Sequence, residues 1–133
     1  MREIKFKGKS IESKKNLWIV GDLVHMYGRL WIRDQFNDYH EIYPDSAGQY
    51  IGFKDKEGRD IYEGDQFLPG WNYGCDSAEP VVFKEDKGTW YIGDYAISHY
   101  FITDFTLLPN KQPLIILDGE IVGNINNIYI EEI

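Results

Sequence analysis

Thirteen glycines and five prolines cut this 133-residue chain into short runs, and those runs are rich in aromatic and β-branched side chains. That punctuation constrains the fold more than any other feature. Aromatic residues make up 16% of the chain, as ten Tyr, seven Phe and four Trp. Such side chains favour pleated, half-buried surfaces, while interior glycine weakens a helix. The stretch LWIVGDLVHMYGRLWIRD at 17–34 is therefore a poor helix, and it is expected to form two strands broken at Gly21-Asp22 and at Gly28.

The rest of the chain follows the same grammar. REIKFKG at 2–8 alternates in side-chain character and is expected as a short edge strand, and FNDYHEIYPDSAG at 36–48 as a loop closed by Pro44 and Gly48. QYIGF at 49–53 alternates as a strand, KDKEG at 54–58 carries turn chemistry, and RDIYEGDQF at 59–67 restarts the chain. A long loop, LPGWNYGCDSAEP at 68–80, precedes a hairpin over 81–95. AISHYFITDFTLL at 96–108 is expected mainly as strand, and PLIILDGEIVGNI at 113–125 as a second hairpin around Asp118-Gly119. Strands at this spacing predict a mainly β, antiparallel protein. The order of strand, long loop and V-x-F…G-x-W hairpin from Gly64 to about residue 125 looks like a small SH3-type barrel. The expected division is an N-terminal β-meander over 1–47 and an SH3-like β-barrel subdomain over 48–133, folding as one cooperative unit.

Composition narrows the function. The single cysteine, Cys75, leaves no internal disulfide and no cysteine-based zinc site. The charged N-terminus MREIKFKGKS is no signal peptide, and no apolar run reaches membrane-span length, so a soluble cytoplasmic protein without a membrane partner is expected. The net charge of −8 is uneven: residues 1–15 carry six basic and two acidic side chains, residues 60–106 nine acidic and two basic. Nucleic-acid binding draws on Lys and Arg neutralising phosphates, so a chain this acidic is a poor candidate for it. The alternative surface for nucleic acid would be Arg2, Lys5, Lys7, Lys9, Lys14 and Lys15, with Trp18 or Trp31 as stacking groups.

Motifs for chemistry are weak. Gly8-Lys9-Ser10 resembles the end of a phosphate loop, but the glycine required five positions before Gly8 is Glu3. Asp55 to Glu63 has carboxylates without EF-hand order, since Gly58 stands fourth from Asp55 rather than sixth. A turn reading is simpler: Gly58 and Gly64 supply positive φ, Asp55 and Asp65 can bond backbone amides two residues on, and the charges of the stretch are solvated. At least one of Ile61 and Tyr62 is expected to pack inward. His25, His40 and His99 share no ligand spacing, a Cys75–His99 pair has no local signature, and Asp38, Glu41 and Asp45 sit in a loop as solvated carboxylates. No cofactor, metal site or catalytic residue is expected. A weak metal-dependent enzyme on the carboxylates and His99 stands as the remote alternative. Trp71 and Tyr73, beside glycines in the long loop, are the candidate partner-binding pair, balanced against folding back as a lid on the core.

The segment GQYIGFKDKEGRDIYEGDQF resembles the signature of the YopX family of phage and prophage proteins. Members open with a strand like MREIKFKGK, carry G-Q-Y-T-G-x-x-D-x-x-G-x-x-I-Y-E-G-D, and end near V-I-G-N-I. All three occur here in order, as Met1–Lys9, Gly48–Asp65 and Ile121–Ile125. Ile51 stands where threonine is usual, Gln66 replaces an apolar residue, and the N-P-E-L ending is absent. The resemblance implies a β-rich fold with an SH3-like C-terminal part and no established enzymatic activity. The motif positions Gly48, Gln49, Tyr50, Gly52, Lys54, Asp55, Gly58, Ile61, Tyr62, Glu63, Gly64 and Asp65 then read as fold determinants. The expected role is that of a non-enzymatic accessory protein acting through contacts with a host or phage protein, with homo-oligomers compatible.

Overall fold

A computed structural model describes residues 3–12, 17–75, 77–104 and 114–124. They form antiparallel β-sheets with little helix, the helical segments being short 3-10 turns at Pro44–Ser46, Trp71–Tyr73 and Ile97–Tyr100. Contacts divide the chain into two compact units, one built on Met1–Tyr50 and one on Ile51–Ile125.

The first unit contains β1 (Phe6–Lys9), β2 (Trp18–Met26), β3 (Arg29–Arg33), β4 (Tyr39–Glu41) and the start of β5 (Gly48–Lys54), hydrogen-bonded in the order β4-β3-β2-β1-β5. Three expectations change here. The basic N-terminal strand is interior rather than an edge: β1 pairs with β2 on one side, and Phe6 and Lys7 lie opposite Gln49 and Gly48 on the other. Nor does Gly21-Asp22 interrupt β2. The strand runs through because a Cβ at residue 21 would collide with the Arg33 carbonyl oxygen, so glycine lets β3 approach, and Asp22 pairs across with Arg33 at 2.6 Å. Chain reversal waits for Tyr27-Gly28, both at positive φ (57° and 71°), the geometry of a two-residue hairpin loop. The 36–48 segment is not all loop, for it holds β4 and the Pro44–Ser46 turn. Buried Ser46 ties that turn to β1, its Oγ accepting the Lys9 amide at 2.8 Å and donating to the Tyr43 carbonyl at 2.6 Å. Ile32, Ile42 and Tyr50 supply the buried apolar side chains of this unit.

The second unit continues β5 into β6 (Asp60–Tyr62) and β7 (Asp65–Pro69), followed by β8 (Glu79–Lys84), β9 (Thr89–Ile92), β10 (Tyr95–Ala96), β11 (Phe101–Asp104), β12 (Leu114–Leu117) and β13 (Gly119–Asn124). A five-stranded sheet has the order β10-β9-β8-β7-β13, and β11 pairs with β12. The strand pairs of the described residues do not themselves close a barrel. The 81–95 hairpin forms over 81–92, with Val81 opposite Ile92 and Lys84 opposite Thr89, but its second strand stops at Ile92 and the chain turns back at Gly93-Asp94 to set Tyr95 opposite Ile92.

Two other segments depart from expectation. Residues 97–100 make a 3-10 turn before the strand, because Tyr100 turns inward: its ring packs on Phe67 and Tyr73 and its hydroxyl donates to the Ile92 carbonyl at 3.2 Å. Residues 105–108 lie outside the described residues. The 113–125 segment is a corner rather than a hairpin, since β12 pairs with β11 while β13 pairs with β7. Asp118 holds the corner through its amide on the Tyr100 carbonyl and its carbonyl on the Gly70 amide, each at 2.8 Å. Gly119 is obligatory there, because a Cβ would strike the Phe67 ring and the Leu68 carbonyl oxygen. The core gathers Ile51, Ile61, Phe67, Val81, Trp90, Ile92, Ile97, Tyr100 and Leu117. Fully buried aliphatic and aromatic side chains of this kind contribute about 1.5–3 kcal/mol each by leaving water.

Candidate functional site

Residues 55–65 are bonded into the strands around them, though not by the route their charges suggest. Asp55 is fully buried, not solvated. Its Oδ1 accepts the amides of Glu57 (2.9 Å) and Arg59 (2.8 Å), which closes the turn over Gly58, where φ is 82°. Its Oδ2 accepts Arg59 Nε at 3.2 Å and the Ile121 amide at 2.9 Å. A carboxylate offers about four acceptor positions, and all are taken by N–H donors, so Asp55 has no capacity left for a cation.

Asp65 is buried as well and works backwards along the chain rather than two residues on. Its Oδ2 accepts the Tyr62 amide at 2.8 Å across the Gly64 turn (φ 89°), and its Oδ1 accepts Asn124 Nδ2 at 3.1 Å. Ile61 and Tyr62 are both buried, Ile61 within the core cluster. The two aspartates therefore bind the 48–65 motif to the 121–124 motif, at separations of 66 and 59 residues. The other motif charges stay nearer water: Lys54 pairs with Asp60 at 2.6 Å, and half-buried Glu63 has its carboxyl pushed up by desolvation. Gly48 and Gln49 align β5 on β1, the Tyr50 amide donates to the Lys5 carbonyl, and Gly52 holds φ at 95°. Ile125, the last residue of the second motif, lies outside the described residues.

The candidate pair in the 68–80 loop separates. Tyr73 folds back, its ring edge-on to Tyr100 at 5.1 Å and beside His99 at 5.6 Å. Trp71, in the same 3-10 turn, is 92% exposed. It borders a cleft of about 220 Å³ lined by Lys56, Glu57, Leu68, Pro69, Gly70, Gly119 and Glu120. Sequence reasoning missed these neighbours because they come from three separated segments with no common motif.

Several of the remaining candidates find structural partners. The His99 ring stacks on Tyr95 at 4.1 Å, while the Cys75 thiol donates to the Tyr73 carbonyl. His40 Nε2 meets Asp34 Oδ2 at 2.8 Å, and Glu41 pairs with Arg29 at 3.2 Å. His25 lies in a groove with Tyr27 and Pro44. Among the described residues no group of three or more His, Cys, Asp or Glu side chains could hold a metal. On the basic strand, the Lys5 ammonium lies over Tyr50 (4.7 Å) and those of Lys7 and Lys9 over Trp18 (4.8 and 5.6 Å). These cations are drawn to their own rings. Trp31 donates its indole N–H to the Met26 carbonyl at 3.0 Å. Arg2, Lys14 and Lys15 lie outside the described residues.

These features define an antiparallel β protein whose signature carboxylates hold its strands together. The chain belongs to the YopX family of phage and prophage proteins: the model for that family, described as YopX protein, matches residues 8–127. Members of that family are not known as enzymes. No curated protein and no solved structure matches the chain. No helix of the described residues is long and apolar enough to cross a membrane.

Proposed function

We propose that this phage or prophage protein is a non-enzymatic accessory factor that acts through contact with a host or phage protein, made at Trp71. The observation that carries this reading is the exposure of Trp71, 92%, on a turn whose neighbour Tyr73 is anchored in the core. An indole left in water gains nothing for folding, whereas tryptophan buried at the centre of an interface is among the strongest contributors to binding. The turn under it is tied to the corner behind it, because the Gly70 amide is bonded to the Asp118 carbonyl and the Tyr73 amide to the Gly70 carbonyl. Contact at a prepared surface loses less conformational freedom than contact at a floppy one. The order β10-β9-β8-β7-β13 supports reading 48–133 as an SH3-like small barrel unit that presents this loop. The setting that fits is the bacterial cytoplasm.

The test is affinity capture from nuclease-treated host lysate with the wild-type chain and with Trp71→Ala. A protein retained by the wild type and lost with the variant supports the proposal. Equal capture by both, or retention only of nucleic-acid-bridged material that nuclease removes, overturns it.

A further inference from the structure

We infer that the cleft beside Trp71 receives a basic, leucine-bearing segment of a partner protein, with an arginine over the indole face. This rests on the proposal that Trp71 is the contact residue, and adds the chemistry of what contacts it. One wall of the cleft is apolar, formed by Leu68 and buried Pro69. Its rim carries Glu57 and Glu120, both exposed and without an ion pair among the described residues. The one cation in the lining, Lys56, lies 3.6 Å from Asp118, which offsets its charge.

The cleft thus pairs an aromatic face and an apolar wall with two carboxylates. A guanidinium meets both demands at once, stacking on indole while its N–H groups bond carboxylates, and it is more weakly hydrated than an ammonium. An acidic segment would meet Glu57 and Glu120 as like charges, in a chain whose net charge is already −8. A purely apolar segment would leave those carboxylates desolvated without partners.

The probe is a short peptide of repeated Arg-Leu-Gly, with Glu-Leu-Gly of equal length as control, titrated into the full chain by calorimetry at low and moderate salt. The expected result is binding of the arginine peptide alone, weakening as salt rises. Glu57→Gln with Glu120→Gln should lower its affinity about threefold to tenfold. Trp71→Ala should lower it by at least about tenfold. All three side chains are exposed, so the variants should fold, and unchanged circular dichroism checks this. Absence of binding, equal binding of both peptides, or binding indifferent to the glutamine pair overturns the basic-segment inference. If Trp71-dependent capture from lysate nevertheless persists, the contact surface stands and only its chemistry is wrong; if capture ignores Trp71, both fall.

Discussion

Replacing Asp55 should loosen the join between the two motif segments, and the size of the effect follows from its hydrogen bonds. The fully buried carboxylate accepts three backbone amides and one guanidinium N–H. Bonds to a charged group contribute about 1.5–3 kcal/mol each but do not add, and disrupting a buried charged group costs about 3–5 kcal/mol. Asp55→Ala should therefore lose about 3–5 kcal/mol, a large share of the 5–15 kcal/mol typical of a domain. Asp55→Asn is the sharper perturbation. Its remaining oxygen can keep the Glu57 and Arg59 amides and so the turn, while the new NH₂ faces the Ile121 amide donor to donor. We expect a loss of about 2–3 kcal/mol, or about 7–11 °C in Tm for a chain of this length. The assay is urea and thermal denaturation by circular dichroism, with amide exchange read residue by residue. Exchange should accelerate at Ile121 far more than at Glu57 and Arg59. A variant Asp55→Ala within about 0.5 kcal/mol of wild type would refute the reasoning, since that is the range of surface substitutions.

Asn124→Ala removes the buried bond to Asp65 and should cost about 1–3 kcal/mol by urea denaturation, with Asn124→Asp worse because it sets a second carboxylate beside the first. Glu63 has a raised carboxyl pKa from desolvation, so its folded-state contribution is fully present below the unfolded pKa and is lost as pH rises through the folded one. Glu63→Gln should accordingly raise Tm at neutral pH and match wild type in acid; a Tm advantage that persists in acid would contradict this. Burial, and after it the nearby Cys75 and other anionic neighbours, push the Tyr100 phenol up to about 12. Its ionisation should appear near pH 12 by ultraviolet absorbance, and the stability it supplies should decline between its ordinary value of 10.0 and about 12, because the unfolded chain loses that proton first.

Strands and turns were legible where their causes are local. The alternation at 49–53, the positive-φ glycines at 58 and 64, and the 81–92 hairpin rest on neighbours a few residues apart. The misread elements each depend on a distant partner. Gly21 looks like a breaker until the Arg33 carbonyl is seen against it, and Asp118-Gly119 looks like a hairpin turn until Phe67 and Tyr100 are. The candidate site divides in the same way: Trp71 and Tyr73 are equivalent as letters, and only the Tyr100 and His99 rings beside Tyr73 distinguish them.

By itself the sequence determined the mainly β class, the family, the signature motif and the positions of its turns. Those follow from backbone preferences and side-chain alternation, which act over a few bonds. The tertiary structure alone decided that Asp55 and Asp65 are buried, that they hold Ile121 and Asn124, and that Trp71 is left in water beside a carboxylate-rimmed cleft. A carboxylate can be buried only where enough N–H donors converge on it, and here some of those donors come from 59 and 66 residues away.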